Sequence, residues 1–179
     1  YEKIVDRYES KKSNEDLFIM SISMQNHGGY TEKYDNFDEK ARMLGINYPD
    51  VNQYLSLIHE SDSALEYLIS YFEKVDDPVE IVFFGDHQPS LSSSFYPYLN
   101  GKGLGGLTLS ELENLYTVPF FIWTNYDSGK ESVELTSLNY LSTLALERAG
   151  IALPAYNQFL ADMMEEIPAV NSRGFYSKS

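Results

Sequence analysis

The sequence predicts an α/β domain in which a mostly parallel sheet is flanked by helices. Short apolar runs rich in β-branched and aromatic residues alternate along the chain with segments of helical periodicity. This strand–helix–strand order is typical of parallel sheets covered by helices. With 179 residues, 43% of them hydrophobic, the chain is also long enough to bury a core. We therefore expect one domain over residues 1–179.

The first half of the chain predicts two helices and one strand. Residues 1–13 are charged and favour a helix, the apolar run 17–24 predicts a strand, and the polar, Gly- and Asp-rich stretch 25–47 predicts a long loop. Pro49 then begins a strongly amphipathic helix. The apolar side chains of its expected buried face are Tyr54, Leu57, Ile58, Leu65, Leu68, Ile69 and Phe72.

The second half alternates further strands and helices. The expected strands are 79–85 and 119–124, and the expected helices are 109–115, 137–149 and 155–166. Thr108 and Glu111 stand in capping-box register for the first of these helices. Gly150 is expected to end the helix 137–149. Residues 88–107 are expected to form a long loop.

Asp86 and His87 follow directly after the strand 79–85 and its terminal Gly85. In an open α/β sheet, ligands bind just beyond the carboxyl ends of the strands. A carboxylate and an imidazole at that place suit a divalent ion such as Mn²⁺, Mg²⁺ or Zn²⁺. The alternative is an aspartate that caps its own turn beside an incidental histidine. Local chemistry alone leaves both interpretations open.

His27 is a second candidate because it also follows a predicted strand, 17–24, and precedes Gly28-Gly29. In a parallel sheet it would reach the same rim as Asp86 and His87. The alternative is a loop histidine with its ring in water. His59 lies in the middle of a helix and is expected on the surface, and Asn125 either reaches the rim or caps a turn.

Composition excludes several function classes. A net charge of −14 argues against nucleic acid as a partner and against direct docking on anionic lipid. Without cysteine the chain has no disulfides and no thiolate metal site.

The glycine-rich stretch 101–106 matches G-x-G-x-x-G but lacks the preceding strand of a dinucleotide site. No apolar run is long enough for a membrane span, and the charged start is unlike a signal peptide.

Four motifs together resemble one known family. FFGDHQP at 83–89 resembles the late metal-binding motif of the lipoteichoic acid synthase branch of the sulfatase/alkaline-phosphatase superfamily. SISMQNHGGY at 21–30, YTVPFFIWTN at 116–125 and the segment 137–154 are similar to further segments of that branch and occur in its order. The resemblance covers nearly the whole chain but only the later part of the family's catalytic domain. It implies a truncated alkaline-phosphatase/sulfatase-like domain.

The resemblance also implies roles for the candidate residues. Asp86 and His87 match two ligands of a divalent ion, Mn²⁺ or Mg²⁺, and His27 matches a histidine that contacts the phosphate of the substrate. The family's nucleophile (Thr, Ser or Cys) and an acidic ligand precede the QNHGG motif and have no counterpart in this chain. We therefore expect half of an active site, inactive by itself.

The parent protein implied by the resemblance is a phosphoglycerol transferase on the extracellular face of the bacterial cell membrane, anchored by segments outside this chain. Its substrate would be an anionic phospho- or sulfo-ester such as phosphatidylglycerol. The expected partner is the missing N-terminal part of the same protein, or another copy of the chain by self-association. The alternatives are a sulfatase, a phosphoethanolamine transferase, or a non-catalytic module that binds cell-wall polymers.

Overall fold

A computed structural model describes residues 1–32, 34–171 and 174–178. The chain divides into two units. The first contains Tyr1–Val75 and Gly85–Pro119, and the second contains Asp76–Phe84 and Phe120–Ser179. The expectation of a single domain stays a prediction.

Helices α1 (Glu2–Glu9) and α2 (Pro49–Phe72) pack against each other in the first unit and confirm the predicted helices. The ring of Tyr8 meets the ring of Phe72 edge-on, with centroids 5.1 Å apart. Tyr71 donates a hydrogen bond of 3.1 Å to the carboxylate of Glu9. The aromatic end of α2 therefore anchors α1.

The buried face of α2 is largely polar in its first half and apolar in its second half. Leu68 and Phe72 are buried as predicted, whereas Ile58 is exposed. In the first half, the buried side chains include Asn52, Gln53 and Ser56. The hydroxyl of Ser56 accepts hydrogen bonds from the backbone nitrogens of residues 40 and 41, at 3.0 and 3.1 Å. Polar side chains are required there because the loop that covers this face has few other partners for its backbone amides.

Residues 17–24 form no strand in the structure, which corrects the prediction from the sequence. Phe18, Met20 and Ile22 expose 91%, 70% and 73% of their surface. A strand exists only where its backbone N–H and C=O groups pair with a neighbouring strand. Within the described residues of the first unit no strand lies alongside, and the apolar pattern alone does not create one.

The segment between the two longer strands carries α3 (Phe95–Asn100), a 3₁₀ turn and α4 (Leu109–Asn114). The predicted loop 88–107 therefore contains a short helix that the sequence did not indicate. Phe95 is buried and packs edge-on against Tyr48, just before α2, with ring centroids 5.3 Å apart. The predicted capping box is confirmed, since Thr108 and Glu111 exchange both of its hydrogen bonds.

In the second unit, β1 (Glu80–Phe84) and β2 (Phe120–Thr124) pair antiparallel. Glu80 lies opposite Thr124, and Phe84 lies opposite Phe120. The expected parallel arrangement is wrong for this pair. A parallel partner needs a crossover that returns the chain to the end where the first strand began. Here residues 85–119 leave and re-enter at the same end, so β2 runs back along β1.

The remainder of the second unit contains helices α5 (Leu141–Arg148) and α6 (Ala155–Glu166). A 3₁₀ turn precedes α5, and Gly150 follows it with φ 68°, which confirms the predicted stop. Tyr140 is fully buried and donates a hydrogen bond of 2.8 Å to the carbonyl of Ile167. The sequence did not predict the hairpin of β3 (Ala169–Asn171) and β4 (Gly174–Tyr176) that follows.

Candidate metal site

Gly85 is the point at which the chain leaves the strand and turns toward Asp86. Its nitrogen donates a hydrogen bond of 3.1 Å to the carbonyl of Pro119. A Cβ atom at Gly85 would lie 3.1 Å from the Cβ of Val118, closer than ordinary van der Waals contact. Glycine therefore allows two backbone segments to pass each other closely here.

Asp86 and His87 are exposed and face each other. Oδ1 of Asp86 accepts a hydrogen bond of 2.9 Å from the backbone nitrogen of His87. The second carboxylate oxygen, Oδ2, lies 3.6 Å from Nε2 of His87. One oxygen of Asp86 thus caps its own turn, as the alternative to a metal site predicted, and the other faces the imidazole.

The ring of His87 is oriented by a backbone carbonyl. Its Nδ1 lies 2.9 Å from the carbonyl oxygen of Gln88. A carbonyl can only accept a hydrogen bond, so in the neutral ring the proton sits on Nδ1 and the lone pair on Nε2. Gln88 is held in turn, because its side-chain nitrogen donates to the carbonyl of Thr117. Metal-binding histidines are commonly oriented by such a bond from their second nitrogen.

The pair fits a divalent ion, though as an incomplete site. Bonds from metal to oxygen or nitrogen are ~2.1 Å long, so one ion can contact both Oδ2 of Asp86 and Nε2 of His87 across their 3.6 Å separation. Catalytic zinc sites commonly use three protein ligands and an open position. Among the described residues, no group of three acidic or histidine side chains is placed to hold a metal.

His27 lies on a turn that is hydrogen-bonded to helix α2. Asn26 exchanges two side-chain hydrogen bonds with Ser61 of α2, at 2.9 and 3.1 Å. The hydroxyl of Tyr30 donates a 2.6 Å bond to the carbonyl of Asn26, and its buried ring packs edge-on against Tyr54. His27 itself is exposed. The structure thus fixes the backbone of this turn while leaving the imidazole accessible.

Helix α2 also holds the segment that follows His87. Asp50 accepts a hydrogen bond of 2.7 Å from the backbone nitrogen of Ser92, and the hydroxyl of Tyr48 donates a 3.0 Å bond to the carbonyl of Ser94. The attachment points Asp50 and Ser61 are separated by roughly 16 Å at the usual helical rise.

All three candidate residues lie in the first unit. Because the described residues form no parallel sheet, a rim shared by His27 and Asp86 stays a prediction.

The other polar candidates have structural roles or none. The side chain of Asn125 accepts from the nitrogen of Val79 and donates to the carbonyl of Asp77, both at 2.8 Å. It caps the start of β1, at the opposite end from Asp86. His59 lies exposed on α2, as expected. Lys102 of the glycine-rich loop pairs with Glu111 at 2.8 Å.

Reasoning from the sequence did not single out Glu80 as a candidate. Burial raises the pKa of this carboxyl to about 6, with Arg148 of the same unit acting in the opposite direction. Its Oε2 is buried and has no hydrogen-bond partner among the residues that the structure describes. An acidic residue at the first position of an apolar strand was the available signal. Its neighbours across the strand pair, including Thr124, were not apparent without the antiparallel register.

Comparisons with known proteins identify one family and two relatives. The model of the sulfatase family matches residues 1–151. A protein of Rhizobium meliloti (strain 1021) named for cyclic beta-1,2-glucan modification is 23% identical over 157 residues, which cover 83% of this chain and 24% of the relative. A capsular polysaccharide biosynthesis protein of the same strain, RkpI, is 34% identical over 96 residues, which cover 54% of this chain and 16% of the relative.

The chain spans about a quarter or less of the length of these relatives. No solved structure matches it significantly. No helix in the described part of the chain is long and apolar enough to cross a membrane. His27, Asp86 and His87 all lie within the matched residues. The chain belongs to the sulfatase family.

Proposed function

We propose that this chain is the later part of the catalytic domain of a metal-dependent phosphoglycerol transferase similar to lipoteichoic acid synthase. The main support is the arrangement of Asp86 and His87, in which Oδ2 and an Nε2 lone pair face each other across 3.6 Å. Members of the sulfatase family commonly use a divalent metal ion, and these two groups match that requirement.

In this proposal each residue has a separate task. Asp86 and His87 would hold Mn²⁺ or Mg²⁺, and the carbonyl of Gln88 keeps the imidazole in the tautomer with its lone pair on Nε2. A divalent ion held by these two residues would supply Lewis-acid polarisation of a phosphoryl oxygen. His27 binds the phosphate oxygens from its fixed turn. The hydroxyl nucleophile and the remaining ligands belong to a part of the enzyme outside this chain.

The proposed donor is an anionic glycerophospholipid such as phosphatidylglycerol, and the proposed acceptor is a hydroxyl group of a polysaccharide. The acceptor class is supported by the two relatives, which are named for glucan modification and capsular polysaccharide biosynthesis. Phosphoglycerol would pass from the lipid to the enzyme nucleophile with release of diacylglycerol, and then to the acceptor hydroxyl. We further propose that the active site lies at the extracellular face of the cell membrane.

The test uses the whole enzyme in which this chain occurs. It would be incubated with Mn²⁺, phosphatidylglycerol labelled in its glycerol headgroup, and cyclic glucan or capsular polysaccharide. We expect label on the polysaccharide, stoichiometric diacylglycerol, and loss of both products with a chelator.

Three other outcomes would reject the transferase. Release of sulfate from sulfate esters without transfer of phosphoglycerol would identify a sulfatase. Transfer of labelled phosphoethanolamine from phosphatidylethanolamine would identify the related transferase. Polysaccharide binding without metal-dependent turnover of any ester would identify a non-catalytic module.

A further inference from the structure

A cleft of about 840 Å³ lies in the first unit, between the segment 37–47 and the start of helix α2. Ligand sites in proteins usually enclose ~300–1,000 Å³ and combine apolar walls with a few polar groups. The apolar side chains that line this cleft are Phe37, Met43, Leu44, Ile46 and Pro49. Asn47, Asn52 and Gln53 add three amide groups. The cleft therefore has the size and the mixed lining of a ligand site.

The outer wall of the cleft is hydrogen-bonded to α2. The hydroxyl of Ser56 accepts from the backbone nitrogens of residues 40 and 41. Oδ1 of Asn52 accepts a hydrogen bond of 2.9 Å from the nitrogen of Met43. Both side chains are buried, with 0% and 5% of their surface exposed. The segment is thus held in place without a ligand, and binding there costs little ordering entropy.

Two amide groups that line the cleft retain hydrogen-bonding capacity. Oδ1 of Asn47 accepts a 3.3 Å bond from Asn52, but its Nδ2 has no partner within the described part of the chain. Nε2 of the buried Gln53 donates a 3.0 Å bond to the carbonyl of Glu32, and its Oε1 accepts none from the described residues. The lining therefore offers one donor and one acceptor. A hydroxyl group both donates and accepts, so it matches this pair.

The charge of the cleft favours a neutral ligand. The two charged residues that line it, Glu39 and Arg42, pair with each other at 2.8 Å. An anionic ligand would find no unpaired cation in this lining and would be repelled by the net charge of −14. An acyl chain would leave the amide groups without partners. A sugar satisfies both conditions, because its hydroxyls can bond to the amides while its C–H faces contact the apolar wall.

We propose that this cleft binds a neutral sugar unit of the polysaccharide acceptor. The role as an acceptor site rests on the proposed function, whereas the affinity for a neutral sugar rests on the lining alone. The relative named for cyclic beta-1,2-glucan modification supports this class of ligand.

Helix α2 connects the cleft with the candidate metal site. Asn52 and Gln53 lie on its first turns, next to Asp50. Asp50 accepts the hydrogen bond from the nitrogen of Ser92, in the segment that follows His87. One helix thus carries the sugar-binding amides and also holds the segment after the metal ligands.

Calorimetric titration of the whole enzyme with unsubstituted cyclic β-1,2-glucan tests the site. The lipid donor is omitted, so that binding is measured without transfer. We expect saturable binding, with Kd raised roughly 3- to 10-fold by Asn47→Ala and by Gln53→Leu. Asn47 is exposed, so Asn47→Ala tests the site even if the buried Gln53→Leu does not fold. Asn36→Ala, an exposed asparagine of the same loop outside the cleft, is the matched control and should leave Kd unchanged.

Three results would overturn the inference. The first is the absence of saturable glucan binding, and the second is a Kd that Asn47→Ala leaves unchanged. The third is weaker binding of phosphatidylglycerol vesicles by Asn47→Ala with glucan binding unaffected, which would identify a lipid site. Failure of the transferase assay with glucan binding that depends on Asn47 would reject the proposed function and support the sugar site. Transfer with an unchanged KM for glucan in Asn47→Ala would reject the sugar site and leave the proposed function standing.

Discussion

Oδ2 of Asp86 and Nε2 of His87 lie 3.6 Å apart, while the other polar atom of each side chain is already bonded to the backbone. This arrangement leaves one free oxygen and one lone pair directed toward a common space. The two adjacent residues are thus arranged as a candidate pair of ligands for one divalent ion.

Removing either member of this pair should remove the ion. In the whole enzyme, Asp86→Ala or His87→Ala is expected to reduce activity by at least ~100-fold, since even outer partners of metal ligands contribute ~10- to 100-fold. Metal analysis should show loss of the ion in both variants. Asp62→Ala, an exposed aspartate on α2, serves as the control. Retention of metal and activity in Asp86→Ala would show that the site is misassigned.

The separate 179-residue chain should bind Mn²⁺ or Mg²⁺ only weakly. It provides two protein ligands, and water must fill the remaining positions. Calorimetric titration is expected to give no stoichiometric binding at micromolar metal. Tight binding of one ion per chain would contradict this and point to further ligands among its own residues.

Replacement of His27 should separate substrate binding from metal binding. We expect His27→Ala in the whole enzyme to lower kcat/KM roughly 10- to 100-fold, the usual effect of losing a hydrogen bond to a charged group. Metal content should remain that of the unmodified enzyme. His59→Ala, a second exposed histidine on α2, is the matched control and should change neither quantity. Metal loss in His27→Ala would instead make His27 a ligand.

The close passage of Gly85 beside Val118 should limit substitution. Gly85→Ala places a Cβ 3.1 Å from the Cβ of Val118 and is expected to lower the free energy of unfolding by about 1–3 kcal/mol. Gly105→Ala, whose Cβ would meet nothing within 4 Å, is the control. Chemical denaturation measures both. Val118→Ala combined with Gly85→Ala should recover part of the loss, and a failure to do so would place the strain elsewhere.

Glu80 should make stability fall as the pH rises from about 4.5 to about 6. Its pKa is raised from 4.5 to about 6, so the folded chain binds more protons in this window. By linkage the folded state is then favoured at low pH and loses this advantage as the carboxyl ionises. Glu80→Gln should remove the dependence and stabilise the chain near pH 7 by about 1 kcal/mol, allowing for partial exposure.

Thermal unfolding between pH 4.5 and 7.5 checks this prediction. Glu134→Gln, an exposed glutamate of the same unit, is the control for the loss of one negative charge from a chain of net charge −14. An equal gain in both variants near pH 7 would assign the effect to net charge rather than to the buried carboxyl.

Patterns within short stretches of sequence correctly predicted the helix boundaries and the capping box. The helix α2 begins at the predicted Pro49, and α6 spans the predicted residues 155–166. The capping box of Thr108 and Glu111 forms as its spacing predicted. The hydrogen bond from Asp86 to the backbone of His87 and the contact of the His87 ring with the carbonyl of Gln88 likewise join adjacent residues. Such features follow from backbone geometry and adjacent side chains, which the sequence contains directly.

Only the tertiary structure decided which strands pair and in which direction. The runs 17–24, 79–85 and 119–124 look alike as apolar sequence, yet two of them pair antiparallel and the first remains unpaired. Strand pairing requires a partner distant in the chain, and periodicity carries no information about that partner or its direction. The same reason applies to Glu80. Its raised pKa results from burial, which arises only when distant segments come together to cover it.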